Sequence, residues 1–193
     1  MQPMFIAFEG LDGSGQSTQA DLLAARLSSE RKSVVTKEPT NNLIGGLIRA
    51  QLTKEWSATQ ECLQLLFAAD RAHHIERVIE PALAKGYNII TDRYMFSSIA
   101  YGAVSTEREW LKQINSRFRL PDHTFFLDVP PEVCIERMER SRLEFELFEQ
   151  LDYLKKVREN YLQLAKEYDS FHVINGDRHK EEVHLDILKL IEG

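Results

Sequence analysis

Short apolar runs alternate along the chain with stretches in which apolar residues recur at helical spacing. Met4–Phe8 (MFIAF) is the first run, and the glycines between Gly10 and Gly15 break it. In the QADLLAARL segment that follows, Leu22, Leu23 and Leu27 stand at helical spacing. Ser33–Thr36 (SVVT) predicts a second strand, halted by Pro39, and a helical pattern then runs from about Ala58 to Leu83. Pro81 lacks an N–H and crowds the preceding turn, so it is expected to bend or end part of that helix. Asn88–Asp92 (NIITD) predicts a third strand after the helix-stopping Gly86, His123–Val129 (HTFFLDV) a fourth, and Phe171–Asn175 (FHVIN) a fifth. Glu132–Tyr168 is strongly helical, and Lys180–Ile191 is a helix with Val183, Ile187, Leu190 and Ile191 on its apolar side. Strands separated by helices imply a parallel sheet covered on both faces. The expected fold is a three-layer α/β domain: a five-stranded parallel sheet with helices on both faces, spanning residues 1–193 as one unit.

Composition narrows the class without naming an activity. The 193 residues, 43% hydrophobic and 28% charged, are those of an ordinary globular protein with one sizeable core. No apolar run approaches a membrane span, and no basic stretch followed by an apolar segment opens the sequence. Cys62 and Cys134 lack paired spacing, which reads as buried free thiols in a reducing compartment, so a cytoplasmic location is expected. A net charge of −6 and a pI near 5.6 argue against a nucleic-acid coating protein. Neither nucleic acid nor membrane is an expected partner. A small anionic ligand must then be drawn by local arginines and backbone N–H groups.

The stretch GLDGSGQST fits the phosphate-loop pattern G-x-x-x-x-G-K-[ST] everywhere but one place: Gln16 stands where lysine is usual. Its residues Gly10, Leu11, Asp12, Gly13, Ser14, Gly15, Gln16, Ser17 and Thr18 form the expected nucleotide-phosphate site. An apolar strand enters the loop and a helix leaves it, which is the context the motif requires. Glycines allow backbone N–H groups to point inward, and the helix N-terminus adds partial positive charge. The Ser17 hydroxyl is the expected Mg²⁺ ligand. The Gln16 amide still donates to a phosphate oxygen, contributing about 0.5–1.5 kcal/mol against about 1.5–3 kcal/mol for a charged donor. The missing cation bears more on turnover than on binding, because charge stabilisation dominates phosphoryl transfer.

Two other stretches carry arginines. TDRY puts Asp92 and Arg93 at the C-terminal end of the third strand, the edge where ligands bind in open parallel sheets. Asp92 is a candidate second Mg²⁺ ligand, and Arg93 is a candidate clamp for a second phosphate, with a structural salt bridge as the alternative. In CIERMERSRLEFE, Arg137, Arg140 and Arg142 interleave with glutamates. Spacing alone favours a solvated helix face with i,i+4 pairs over a site.

Taken together, FIAFEGLDGSG, KEPT, LLFAADRAHH, TDRYMFSSIAYG, FFLDVPPEV and VRENYLQLA resemble the thymidylate kinase family in content and order, over nearly the whole chain. The resemblance implies a P-loop nucleoside monophosphate kinase fold and transfer of the ATP γ-phosphate to dTMP with Mg²⁺, giving dTDP in dTTP biosynthesis. It implies that Phe67 stacks on thymine and that Arg71, one helical turn later on the same face, reads the base edge. Arg93 matches the arginine holding the dTMP phosphate, with Arg49 as a second contact. Asp12 matches the carboxylate on the sugar 3′-hydroxyl. Ser97, Ser98 and Tyr101 match the helix lining the thymidine pocket, Tyr101 crowding the 2′ position. Glu38 matches the acid of an R-E-P turn in which Lys37 replaces the arginine and Thr40 a frequent glycine. The arginine cluster falls where the family has a mobile lid, about residues 137–150, so Arg140 or Arg142 is expected to close over the γ-phosphate and stand in for the lysine missing at Gln16. The family usually forms homodimers.

Asp128, before Pro130 and Pro131, is read as a helix cap in preference to a metal ligand. His73 and His74 lack ligands at metal spacing, and no Ser-His-Asp or Cys-His nucleophile pair is visible. Two other functions compete with the kinase reading. One is a nucleotide-binding sensor or partner subunit that has lost catalysis, motivated by Gln16; the other is a kinase for a different nucleoside monophosphate.

Overall fold

A computed structural model describes residues 2–138 and 144–192. Five strands form one sheet: β1 (Phe5–Gly10), β2 (Ser33–Lys37), β3 (Asn88–Asp92), β4 (His123–Asp128) and β5 (Phe171–Asn175). Their order is β2-β3-β1-β4-β5 and every pairing is parallel. Alternation along β1 explains why both faces are covered. Phe5 and Ala7 join a core with Phe96, Ile99, Val157 and Tyr161, while Ile6 and Phe8 join one with Ala20, Leu23, Val183 and Ile187. Removing each large apolar side chain from water contributes about 1.5–3 kcal/mol.

Nine helices lie among the described residues: α1 (Gln16–Ser28), α2 (Leu43–Leu52), α3 (Gln60–His74), α4 (Glu80–Ala84), α5 (Met95–Gly102), α6 (Arg108–Asn115), α7 (Pro131–Met138), α8 (Glu144–Leu164) and α9 (Lys180–Glu192). The helical pattern expected over 58–83 is α3 and α4 joined by a π-helical turn, Ile75–Ile79. Pro81, in the first turn of α4, cannot donate to the carbonyl four residues back, and the wider turn before it accommodates the loss. Among the described residues, no helix is long and apolar enough to cross a membrane. Both cysteines are free; Cys134 is buried as expected, whereas Cys62 is only partly so.

Parallel register brings the strand ends to one edge. Phe8 and Lys37 both pair with Asp92, and Gly10 pairs with Leu127. β1 lies between β3 and β4, where successive connections leave in opposite directions, and the crevice outside the strand termini opens there. Asp128, on the same edge, is a correction to the capping expectation. Its carboxylate accepts from Nε and Nη2 of Arg158 at 2.5 and 2.9 Å, so a bidentate ion pair occupies both oxygens.

Candidate active site

The loop from β1 to α1 is shaped by Gly13 and Gly15, at φ +84° and +98°. A Cβ on Gly13 would lie 2.7 Å from the Cys134 carbonyl oxygen, so only glycine lets the loop rest this closely on α7. Gly15 precedes α1 without a side-chain cap, and the first turn holds no acid. The first N–H groups of α1 are therefore left for an external acceptor, where the helix dipole favours an anion. The basin in front of them has a volume of about 380 Å³ and is lined by Asp12, Gly13, Gly15, Gln16, Ser17 and Thr18, together with Asp92, Arg93 and Arg137. Three expected loop residues do not line it. Leu11 is fully buried in the core, Ser14 is buried, and Gly10 contributes its carbonyl from behind.

Gln16 is buried and its amide turns inward. Nε2 donates to the Gly10 carbonyl at 3.2 Å, and Oε1 accepts from Nη2 of Arg93 at 3.3 Å. Lysine has no acceptor with which to make the second bond. Arg93 occupies the left-handed region at φ +69°, a conformation costing a non-glycine residue about 1 kcal/mol or more. The bond from its N–H to the Phe8 carbonyl, at 2.9 Å, and that from Thr91 Oγ1 to its carbonyl, at 2.8 Å, hold this turn. The guanidinium is thereby aimed back over β1. Nη1 donates to the Gly10 carbonyl at 3.1 Å and to Ser97 Oγ at 2.9 Å, and Nη2 to Asp12 at 2.7 Å. Its carbon lies 5.2 Å from the Tyr101 ring centroid. Burial pushes the Tyr101 phenol up to about 12 despite the opposing pull of Arg93, so it stays neutral.

Arg137 is a residue that sequence reasoning passed over in favour of its neighbours. Its Nη1 reaches the Gly13 carbonyl at 3.5 Å and Nη2 donates to Asp177 at 3.2 Å, which sets a second cation at the basin rim. Its place in the last turn of α7 was the available signal. Arg140 and Arg142 lie outside the described residues.

The Ser17 hydroxyl donates to the Asp92 carboxylate. A hydroxyl and a carboxylate side by side at the helix N-terminus are hard oxygen donors, which fit Mg²⁺ held by few protein ligands plus phosphate and water. Among the described residues no cluster of three or more His, Cys, Asp or Glu could hold a metal without such help. A groove of about 610 Å³ opens on the far side of this pair, past His73, His74 and Arg77, and excludes both Arg93 and Arg137.

A second cavity, about 350 Å³, shares Asp12, Asp92 and Arg93 with the loop basin and extends between α3 and α5. Phe67, Arg71, Glu38, Ser97, Ser98 and Tyr101 all line it, and so do Lys37, Gln64, Tyr94 and Tyr153. Phe67 is half-buried, and its side chain forms part of the cavity wall. Arg71 is fully buried and heavily engaged. It donates Nε to Glu38 at 2.9 Å and Nη2 to Ser98 at 2.9 Å, donates Nη1 to the Asn115 side-chain oxygen Oδ1, and lies over Tyr94. Glu38 also meets His74 Nδ1 at 3.0 Å. Arg71 thus ties β2, α3, α5 and α6 together as well as walling the cavity. Arg49 departs from expectation: it is not among the lining residues, and its guanidinium donates to the Thr40 carbonyl at 2.6 Å.

The sequence model described as Thymidylate kinase matches residues 8–187. A probable thymidylate kinase of Pyrococcus abyssi is 42% identical, covering 100% of this chain and 97% of its own length. One from Pyrobaculum aerophilum is 44% identical, covering 97% and 96%. The crystal structure of thymidylate kinase from Ehrlichia chaffeensis superposes with a TM-score of 0.80 at 29% identity, over 99% of this chain and 100% of that one.

Proposed function

The chain belongs to the thymidylate kinase family, and on that premise we propose how its two basins carry ATP-dependent phosphorylation of dTMP to dTDP. The ATP triphosphate lies on the loop N–H groups and the N-terminus of α1, with Arg137 at the rim. The dTMP enters the second cavity, its thymine against Phe67 and beside Arg71, its sugar between Asp12 and Tyr101, and its phosphate against Arg93. One observation carries this reading: the Arg93 guanidinium stands on the wall common to both basins. An acceptor phosphate held there faces the triphosphate directly. Such placement supplies much of the catalysis, because phosphoryl transfer depends on positioning and charge neutralisation and needs no covalent intermediate.

Ser17 and Asp92 would hold Mg²⁺, which when bound neutralises triphosphate charge. Gln16 contributes a neutral amide and orients Arg93. Arg140 and Arg142, in a lid over about 137–150 of a single kinase domain, complete the positive surround and exclude water. Exposed Leu43 and Leu47 on α2 and Leu65 on α3 support a homodimer, and the free thiols support a cytoplasmic setting. A coupled assay with ATP, Mg²⁺ and a panel of acceptors tests the reading. It requires dTDP formation, preference for dTMP over dUMP, dGMP and AMP, and a rise in the dTMP KM on Arg93→Ala. Turnover of AMP in preference to dTMP, or none with any acceptor, would refute it.

A further inference from the structure

Glu9 ends the apolar run of β1 and is fully buried. A lone ionised carboxylate in such a place is strongly disfavoured unless it is hydrogen-bonded. Here it has four donors: the N–H groups of Tyr94 and Ser97 at 3.0 and 3.2 Å on Oε1, and Ser97 Oγ and the Tyr161 hydroxyl at 2.5 and 2.9 Å on Oε2. The two N–H groups belong to the start of α5, whose own preceding residue, Tyr94, offers no side-chain cap. The carboxylate from β1 therefore caps the helix that carries Ser97, Ser98 and Tyr101 into the dTMP cavity. Tyr161 brings in α8, which also donates from Asn160 to the Ala100 carbonyl at 2.8 Å.

The same Ser97 hydroxyl that donates to Glu9 accepts from Nη1 of Arg93. Arg93 is thus tied to the end of β1 twice, directly through the Gly10 carbonyl and through Ser97 to the adjacent Glu9. We propose that Glu9 is a positioning residue for the acceptor half of the reaction, holding α5 and the Arg93 guanidinium in fixed relation to the phosphate loop. The inference rests on the reading of Arg93 as the dTMP-phosphate arginine. A carboxylate suits the place because its ionised form only accepts, and all four partners can donate. Glutamine would present an N–H₂ to the two hydroxyls. Ser97 Oγ would then receive a hydrogen from residue 9 in competition with Arg93.

The test uses the full chain with Glu9→Gln and Ser97→Ala, each also on an Arg93→Ala background. Steady-state constants are measured for both substrates, with dTMP binding measured by calorimetry. Weakening one charge-assisted link predicts a rise of about tenfold in KM and Kd for dTMP. The KM for ATP should change by less than about twofold, and on the Arg93→Ala background the dTMP penalty should shrink to about twofold or less. Equal losses for both substrates, or a full dTMP penalty persisting without Arg93, would overturn the proposal. If Arg93→Ala alone leaves dTMP binding intact, it is the reading of Arg93 that fails. Should Glu9→Gln not fold, Ser97→Ala decides alone, since it cuts the same link without altering the buried charge.

Discussion

Glu9→Gln also makes a prediction about stability whose size follows from burial. Desolvation pushes the Glu9 carboxyl from its ordinary 4.5 up to about 7, with Ser97, Arg93 and Tyr161 pulling only part of the way back. Each pKa unit is equivalent to about 1.4 kcal/mol, so that displacement corresponds to about 3 kcal/mol. Between pH 4.5 and about 7 the folded protein holds this proton while the unfolded chain has released it. The contribution to stability is therefore full below the unfolded value and is lost as pH rises through the folded one. Glutamine cannot titrate. Urea unfolding of both proteins from about pH 5 to about pH 8 should show the variant gaining about 2.5 kcal/mol relative to wild type across the range, the remainder lying below pH 5. His123, His172 and His184, which burial lowers, titrate in both proteins and cancel in the difference. Any hydrogen bonds lost to the amide add a constant offset. A flat difference would refute the reasoning, because it would mean that the folded state does not oppose ionisation at Glu9. A gain in stability at high pH alongside weaker dTMP binding would mark a residue kept for function against its own stability.

Arg71→Ala leaves the Glu38 carboxylate buried without its guanidinium, so urea unfolding should show a loss of about 3–5 kcal/mol. Arg137→Ala removes a cation from the loop basin only. Its KM for ATP should rise by about tenfold or more with little change for dTMP, and initial-rate kinetics with each substrate varied will show whether it does. Phe67→Ala deletes an aromatic face from the cavity wall; losing a base stack of about 1–3 kcal/mol should raise the dTMP Kd by about tenfold or more in calorimetry, while Phe67→Tyr stays near wild type.

The five strands were legible because each is a compact apolar run bounded by glycine, proline or polar residues, and the structure moves their ends by only a residue or two. The helices α2, α5 and α6 were not read from pattern. Consecutive Gly45 and Gly46 dilute the signal of α2, and α5 is buried on most sides, so no single apolar stripe marks it. The phosphate loop could be found because its chemistry is local, nine residues that work as one backbone shape. Residues that act through distant partners could not. Glu9 passes for the end of a strand until Ser97 and Tyr161 meet it, and Asp128 passes for a cap until Arg158 arrives from α8. Arg49 had the right residue type in the right neighbourhood, and only the position of the Thr40 carbonyl decides where its guanidinium goes.

Arg93 does not offer a naked charge. Its guanidinium already rests on a carboxylate, a carbonyl, an amide and a hydroxyl of its own chain, so any arriving anion must exchange partners. What is gained is only the margin by which the newcomer outbids those contacts, and that margin is widest for a dianion with several oxygens. Small singly charged ions from the surrounding salt have little with which to compete. The pocket is in this way guarded against trivial occupants before any base or sugar has been inspected.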